Sequence, residues 1–312
     1  MTPASSVLLL TTLTGFGYGL LAWLGLFCAL GLLPHAPWFL PAAVMIALAF
    51  ASGGLLASTL HLGRPERAWR AFSQWRSSWL SREGVASILT YPPAFGFAAL
   101  WYFAGAGAPA TRVLGLLAAV LALGTVYCTA MIYASLKPIR QWHNRHTAPD
   151  YLIFAAFSGA TMLAAFTGIW TSHARLTGAL AALAALVAAV AKRGYWRFID
   201  RQAPLTTLAS ATGLAAFGSV TPLDQPHFTE NYILREMGYQ IARKHAAKLR
   251  RITLVVAFGL PFLFALLAAI GIAPMIAAPL AAICTGAGLF IERWLFFAEA
   301  THVAAIYYGR AV

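Results

Sequence analysis

Apolar stretches of about 20 residues, the length that crosses a bilayer core, follow one another along almost the whole chain. Eight are predicted, near residues 6–33, 38–60, 85–103, 113–136, 151–170, 176–191, 252–272 and 277–306. Pro34, Pro37, Pro109, Pro149 and Pro274 fall between them, where helices are expected to break. A soluble domain of 312 residues would need more polar surface than a chain that is 60% hydrophobic and 10% charged can supply. The expected fold is therefore all-α and polytopic, one membrane domain over residues 1–312 with eight transmembrane helices. The first run is 28 residues long with no Lys or Arg before it, which suits a retained spanning helix better than a signal peptide.

Charge assigns sides to these helices. The loops after spans two, four and six hold five, three and ten Lys or Arg residues. Those after spans one, three, five and seven hold none, one, one and none. The positive-inside rule then places both termini and the basic loops in the cytoplasm, and the chain in a bacterial cytoplasmic membrane. A net charge of +13 is explained by these loops, without nucleic acid. The sixth loop, residues 192–251, is long for a compact bundle. Residues 203–220 within it are mildly apolar, but a ninth span there would break the alternation. Thr229 is a plausible N-cap for an amphipathic helix carrying Arg243, Lys244, His245, Lys248, Arg250 and Arg251 into span seven. Its basic face suits anionic headgroups and a soluble partner equally.

Two polar clusters stand out in a chain so poor in charge. The first runs from His61 through Arg64, Glu66, Arg67, Trp69 and Arg70 to Ser81 and Glu83. His61 ends span two and Glu83 starts span three, with Ser81 the expected N-cap. Pro65 can open a short interfacial helix on which Arg67 and Arg70 share a face and Glu66 pairs with Arg70. A histidine and a carboxylate beside an apolar cavity suit two-proton chemistry on a lipid-soluble quinone. The same residues also suit headgroup anchoring. The second cluster is Glu292, Arg293, Glu299 and His302 in span eight, where the spacing lets Glu292, Glu299 and His302 share one face. Ionisable groups at that depth form either a structural network or a proton path.

Other chemistries lack support. Cys28, Cys128 and Cys284 sit in separate apolar runs without a CxxC, so any iron–sulfur cluster belongs to a partner. Only His302 falls well inside a predicted span, so no haem is expected, and the His143–His146 run reads as a basic loop rather than a metal site. No phosphate-binding loop, dinucleotide fingerprint or nucleophile elbow occurs, so the chain is not expected to be catalytic by itself.

The segment from His61 to Trp69, followed by Ser78-Trp79-Leu80-Ser81-Arg82-Glu83, resembles the membrane anchor subunits of the dimethyl sulfoxide reductase family. The similarity extends to Glu230-Asn231-Tyr232, Glu236-Met237-Gly238-Tyr239, Ala242-Arg243-Lys244-His245-Ala246 and Glu292-Arg293-Trp294-Leu295-Phe296-Phe297. The resemblance implies eight spans and a haem-free anchor binding ubiquinone or menaquinone. Its implied partners are an iron–sulfur subunit and a molybdopterin catalytic subunit. It ties His61, Arg67 and Glu83 to quinone binding, with Arg64 and Trp69 as neighbours. With the basic loops in the cytoplasm, the chain looks more like the membrane subunits of cytoplasmic sulfite dehydrogenases than like anchors of exported enzymes. A transporter using Glu292, Glu299 and His302, or a structural anchor without quinone, are the competing readings; no internal repeat or matching pair of broken helices favours transport.

Overall fold

The computed structural model describes residues 4–60, 62–105, 107–170, 173–203, 206–221, 223–224 and 240–308. Among them no strand forms, and one isolated bridge joins Ile139 to His302. In lipid a backbone must satisfy its own polar groups, and Ala/Leu-rich sequence does so as helix. The long helices are α1 (Ser5–Ala29), α2 (Phe39–Thr59), α3 (Trp79–Ala104), α4 (Pro109–Ala134), α5 (Thr147–Ile169) and α6 (Ala174–Asp200). A short α7 (Leu208–Thr212) follows, then α8 (Gln240–Thr253), continuous through a π-helical turn (Leu254–Gly259) with α9 (Leu260–Ala269), and finally α10 (Pro274–Ala298). The π turn sits just before Pro261, which lacks the N–H that a regular helix would use there.

Seven of these segments are both long and apolar enough to cross a membrane: α1, α2, α4, α5, α6, His245–Ala269 and α10. The expected eighth, α3, has 26 residues but not the apolarity, because Ser81, Arg82, Glu83, Ser87, Thr90 and two prolines dilute it. Helix α6 runs nine residues past its predicted end at residue 191, so Lys192 belongs to the bundle and not to the loop. In contrast α10 stops at Ala298, short of the predicted residue 306. Residues 208–217 form only α7 and a 3-10 turn with nothing buried, so no span arises there. Thr229 and the motifs over residues 230–239 lie outside the described residues.

The helices form two groups that meet along α1 and α5. Helices α1 to α4 pack together, as do α5, α6, α9 and α10, while α1 touches α5 and α10, and α4 touches α5, across the seam. Between lipid-soluble helices the drive is close packing rather than burial from water, and small residues permit it. A Cβ on Gly25 would meet the carbonyl carbon of Gly115 at 2.8 Å, and Gly19 faces Gly159 and the Ala155 carbonyl with no space for a side chain. Those approaches set α1 directly against α4 and α5.

Candidate functional site

The linker between α2 and α3 forms a 3-10 helix over Pro65–Gln74, with Pro65 at its first turn and no buried residue. Trp69 and Trp75 are exposed, with Arg70 resting over the Trp69 ring and Arg76 over Trp75. The pairing expected of Glu66 with Arg70 is replaced by a loose contact of Glu66 with Arg67 at 3.9 Å, because the Arg70 guanidinium covers its own neighbour instead. Arg64 and Arg67 face outward, and His61 lies outside the described residues. Such exposed aromatic–arginine pairs are suited to a headgroup layer or to a partner surface.

Helix α3 holds this linker in place. Ser78, not Ser81, is the N-cap, its hydroxyl accepting from the Ser81 N–H at 3.5 Å. Ser81 is thereby free to donate from Oγ to the Ala71 carbonyl. Arg82 donates from Nε to the Trp75 carbonyl at 3.0 Å and from Nη2 to the Arg76 carbonyl at 2.6 Å, while lying over the Trp79 ring. One residue later the chain turns inward. Glu83 is 4% exposed and its Oε1 accepts a 2.6 Å hydrogen bond from Thr129 Oγ1 on α4. The sequence segment thus divides: its arginines and Trp69 lie outside, its carboxylate inside, and among the described residues no hydrogen bond or ion pair joins the two sets.

The deepest charges are elsewhere. Glu292 on α10 is wholly buried and shared by two cations. Arg293 Nε donates to Glu292 Oε2 at 2.6 Å, and Lys192 Nζ on α6 pairs with Oε1. Aromatic faces line the cations: Lys192 Nζ lies 4.1 Å from the Tyr195 ring centre, and the Arg293 guanidinium 4.2 Å from that of Tyr151. Asp150, buried near the start of α5, is within Coulombic reach of all three. Sequence reasoning missed Lys192, Asp150 and Thr129. Lys192 had a signal, since Ala185, Ala188 and Tyr195 share its helical face and all are buried.

The face expected to join Glu292, Glu299 and His302 does not form. Glu299 is the C-cap of α10 and pairs with Arg250 Nε at 2.8 Å, while the same guanidinium forks onto Asp200. His302 lies beyond the helix, paired with Ile139, because Gln141 takes both the Thr301 hydroxyl and N–H. Glu292 and Glu299 therefore belong to two separate ion clusters. At the N-cap of α5, burial and the neighbouring Arg145 hold His146 below the usual histidine range. Among the described residues no group of three or more His, Cys, Asp or Glu is placed to hold a metal.

Comparison with known proteins agrees with the motifs. The family model for the DMSO reductase anchor subunit (DmsC) matches residues 6–299. The C subunit of sulfite dehydrogenase from Allochromatium vinosum is 34% identical over 99% of each chain. The anaerobic dimethyl sulfoxide reductase chain YnfH of Escherichia coli is 28% identical over 116 residues, 36% of this chain and 39% of that one.

Proposed function

The chain belongs to the family of DMSO reductase membrane anchor subunits, and from that premise we propose that it exchanges electrons between a membrane quinone and an iron–sulfur partner. The soluble partners are that iron–sulfur subunit and a molybdopterin subunit. Full-length similarity to a sulfite dehydrogenase subunit favours sulfite oxidation coupled to quinone reduction. In this reading α3 is the eighth span, and both termini and the α2–α3 linker face the cytoplasm, where the basic loops lie.

The observation that carries the reading is the buried Glu83 carboxylate under the arginine-rich linker. Its surroundings suit a quinone: guanidiniums are pure donors for ring carbonyls, and a buried carboxyl can hold or release a proton. Arg64 and Arg67, with His61, are the donors at the linker. Trp69 offers a flat apolar face, and Glu83 holds the proton on the inner side. A bound quinone would supply the two-electron, two-proton couple. Arg82 keeps the linker over the start of α3 through its two carbonyl contacts.

The test is titration of a quinol-analogue inhibitor on the complex purified in mild detergent. Glu83→Gln, Arg67→Ala and His61→Ala should each weaken binding by about tenfold or more, the loss of one hydrogen bond to a charged group. Unchanged analogue affinity and unchanged quinone-coupled turnover in all three would remove the site from this linker.

A further inference from the structure

Beside Thr129, the partner of Glu83, at the seam between the two helix groups, lies a small cavity. Thr12, Thr129, Tyr151, Phe154, Ser158 and Arg293 are among the side chains around it. Its volume is about 20 Å³, on a measure by which one water needs roughly 10–15 Å³. A ring or an acyl chain does not fit; a water does.

The walls ask for one. Thr12 is 7% exposed, and among the described residues its hydroxyl has no hydrogen-bond partner. Tyr151 Oη, equally buried, has the Arg293 guanidinium within reach but at no normal hydrogen-bond geometry, so it keeps room for a second partner. A buried hydroxyl left unpaired costs about 1–3 kcal/mol, which a bridging water recovers. The other hydroxyls are ready acceptors. Thr11, Thr14 and Ser158 turn their hydrogens back onto the carbonyls of Val7, Leu10 and Ala155, leaving oxygen lone pairs for a water to donate to. Arg293 is the charged donor on the wall.

We propose that this cavity is an internal water site linking the two buried ionic centres, Glu83 through Thr129 on one side and the Lys192–Glu292–Arg293 cluster on the other. Thr129 is the joint. Its single hydroxyl hydrogen has two acceptors in range, Glu83 Oε1 at 2.6 Å and the Thr125 carbonyl at 3.1 Å. A water donating to the Thr129 oxygen polarises that hydroxyl and strengthens its bond to Glu83. Thr12 and Thr129 are then positioning residues for the Glu83 carboxylate. That role rests on the quinone reading above; the water site itself does not.

Radiolytic hydroxyl-radical labelling of the purified complex in oxygen-18 water tests it, because bound water labels even buried rings that touch it. Phe154 lines the cavity; Phe157, three residues along the same helix, does not, and both are buried. Phe154 should label severalfold faster than Phe157 if an ordered water is held there. Thr12→Val, which removes only the unpaired hydroxyl, should bring that ratio close to one. Equal labelling in the unaltered protein means the cavity is dry and overturns the site; an unchanged ratio in Thr12→Val overturns the part given to Thr12. Thr129→Val should weaken the quinol analogue about tenfold, and Thr129→Ser should restore it. Failure of the serine rescue overturns the link to Glu83. An analogue that never binds the unaltered complex defeats the quinone reading alone, since labelling of Phe154 would be untouched.

Discussion

Removing the one carboxylate that two buried cations share tests the core of this membrane bundle. In Glu292→Leu, Lys192 and Arg293, 1% and 5% exposed at their side chains, lose their only carboxylate within 4 Å among the described residues. Breaking a buried pair from one side costs about 3–5 kcal/mol because the partner charge is left unpaired. Two stranded cations place the loss at the upper end, about 5 kcal/mol or several thousandfold in the unfolding equilibrium at about 1.4 kcal/mol per decade. Lys192→Met should be much milder, about 1–2 kcal/mol. It removes the extra cation, leaves Glu292 and Arg293 as a matched pair, and keeps a side chain of similar length against Tyr195 and Trp196. The double variant should fall between them, since only Arg293 is then unpaired. Equilibrium unfolding in mixed micelles, read by tryptophan fluorescence, gives all three values. If Lys192→Met costs as much as Glu292→Leu, the shared-carboxylate account is wrong and packing around the aromatic ring faces dominates instead.

Three further outcomes follow from single features. Gly25→Val should destabilise by about 1–3 kcal/mol or prevent insertion, since its Cβ would press on the Gly115 backbone, whereas Gly124→Ala, with nothing within 4 Å, should be neutral; unfolding midpoints compare them. His146 is held below the usual histidine range by burial, so it stays neutral while the unfolded chain takes up a proton. Stability should therefore fall as pH drops below the unfolded value of about 6.5 and level off below the folded one, and His146→Gln should flatten that part of a melting profile. Arg82→Ala should free the linker, raising protease cleavage between Pro65 and Ser78 severalfold, because both side-chain bonds to the Trp75 and Arg76 carbonyls are lost.

What was legible in the sequence follows from what repeats. Span length and loop charge recur along the chain, so the helices and the polar linker could be placed from them, within the shift of a few turns that α3, α6 and α10 display. The site was only half legible. Glu83 stands out because a carboxylate among apolar residues has few alternatives to burial, but its partner Thr129 is one threonine among many in these helices. Lys192 was hidden for a different reason. Counting basic residues to find loops assigns every lysine near a helix end to water, and this one is held inside by a glutamate a hundred residues away. His302 was misplaced because a helical projection assumes the helix continues past its C-cap Glu299, which itself turns to Arg250. The contacts of Gln141 with Thr301 end it instead.

The buried charged groups and the hydroxyls beside them share one property that alternating helix direction explains. Glu83, Asp150 and Tyr151 lie near the starts of α3 and α5, while Thr129, Lys192, Glu292 and Arg293 lie toward the ends of α4, α6 and α10. In an antiparallel bundle those starts and ends meet at the same side, the side that carries the basic linkers. The opposite half is packed by Ala, Leu and Gly, with Trp101, Trp170 and the tilted Trp38–Tyr102 pair near its edge. A path crossing the whole membrane would need buried ionisable groups in both halves; among the described residues the buried charges lie in one, and Arg112 and Arg175 at the opposite starts of α4 and α6 are exposed. The arrangement suits an anchor that meets its redox partners and its protons at a single surface.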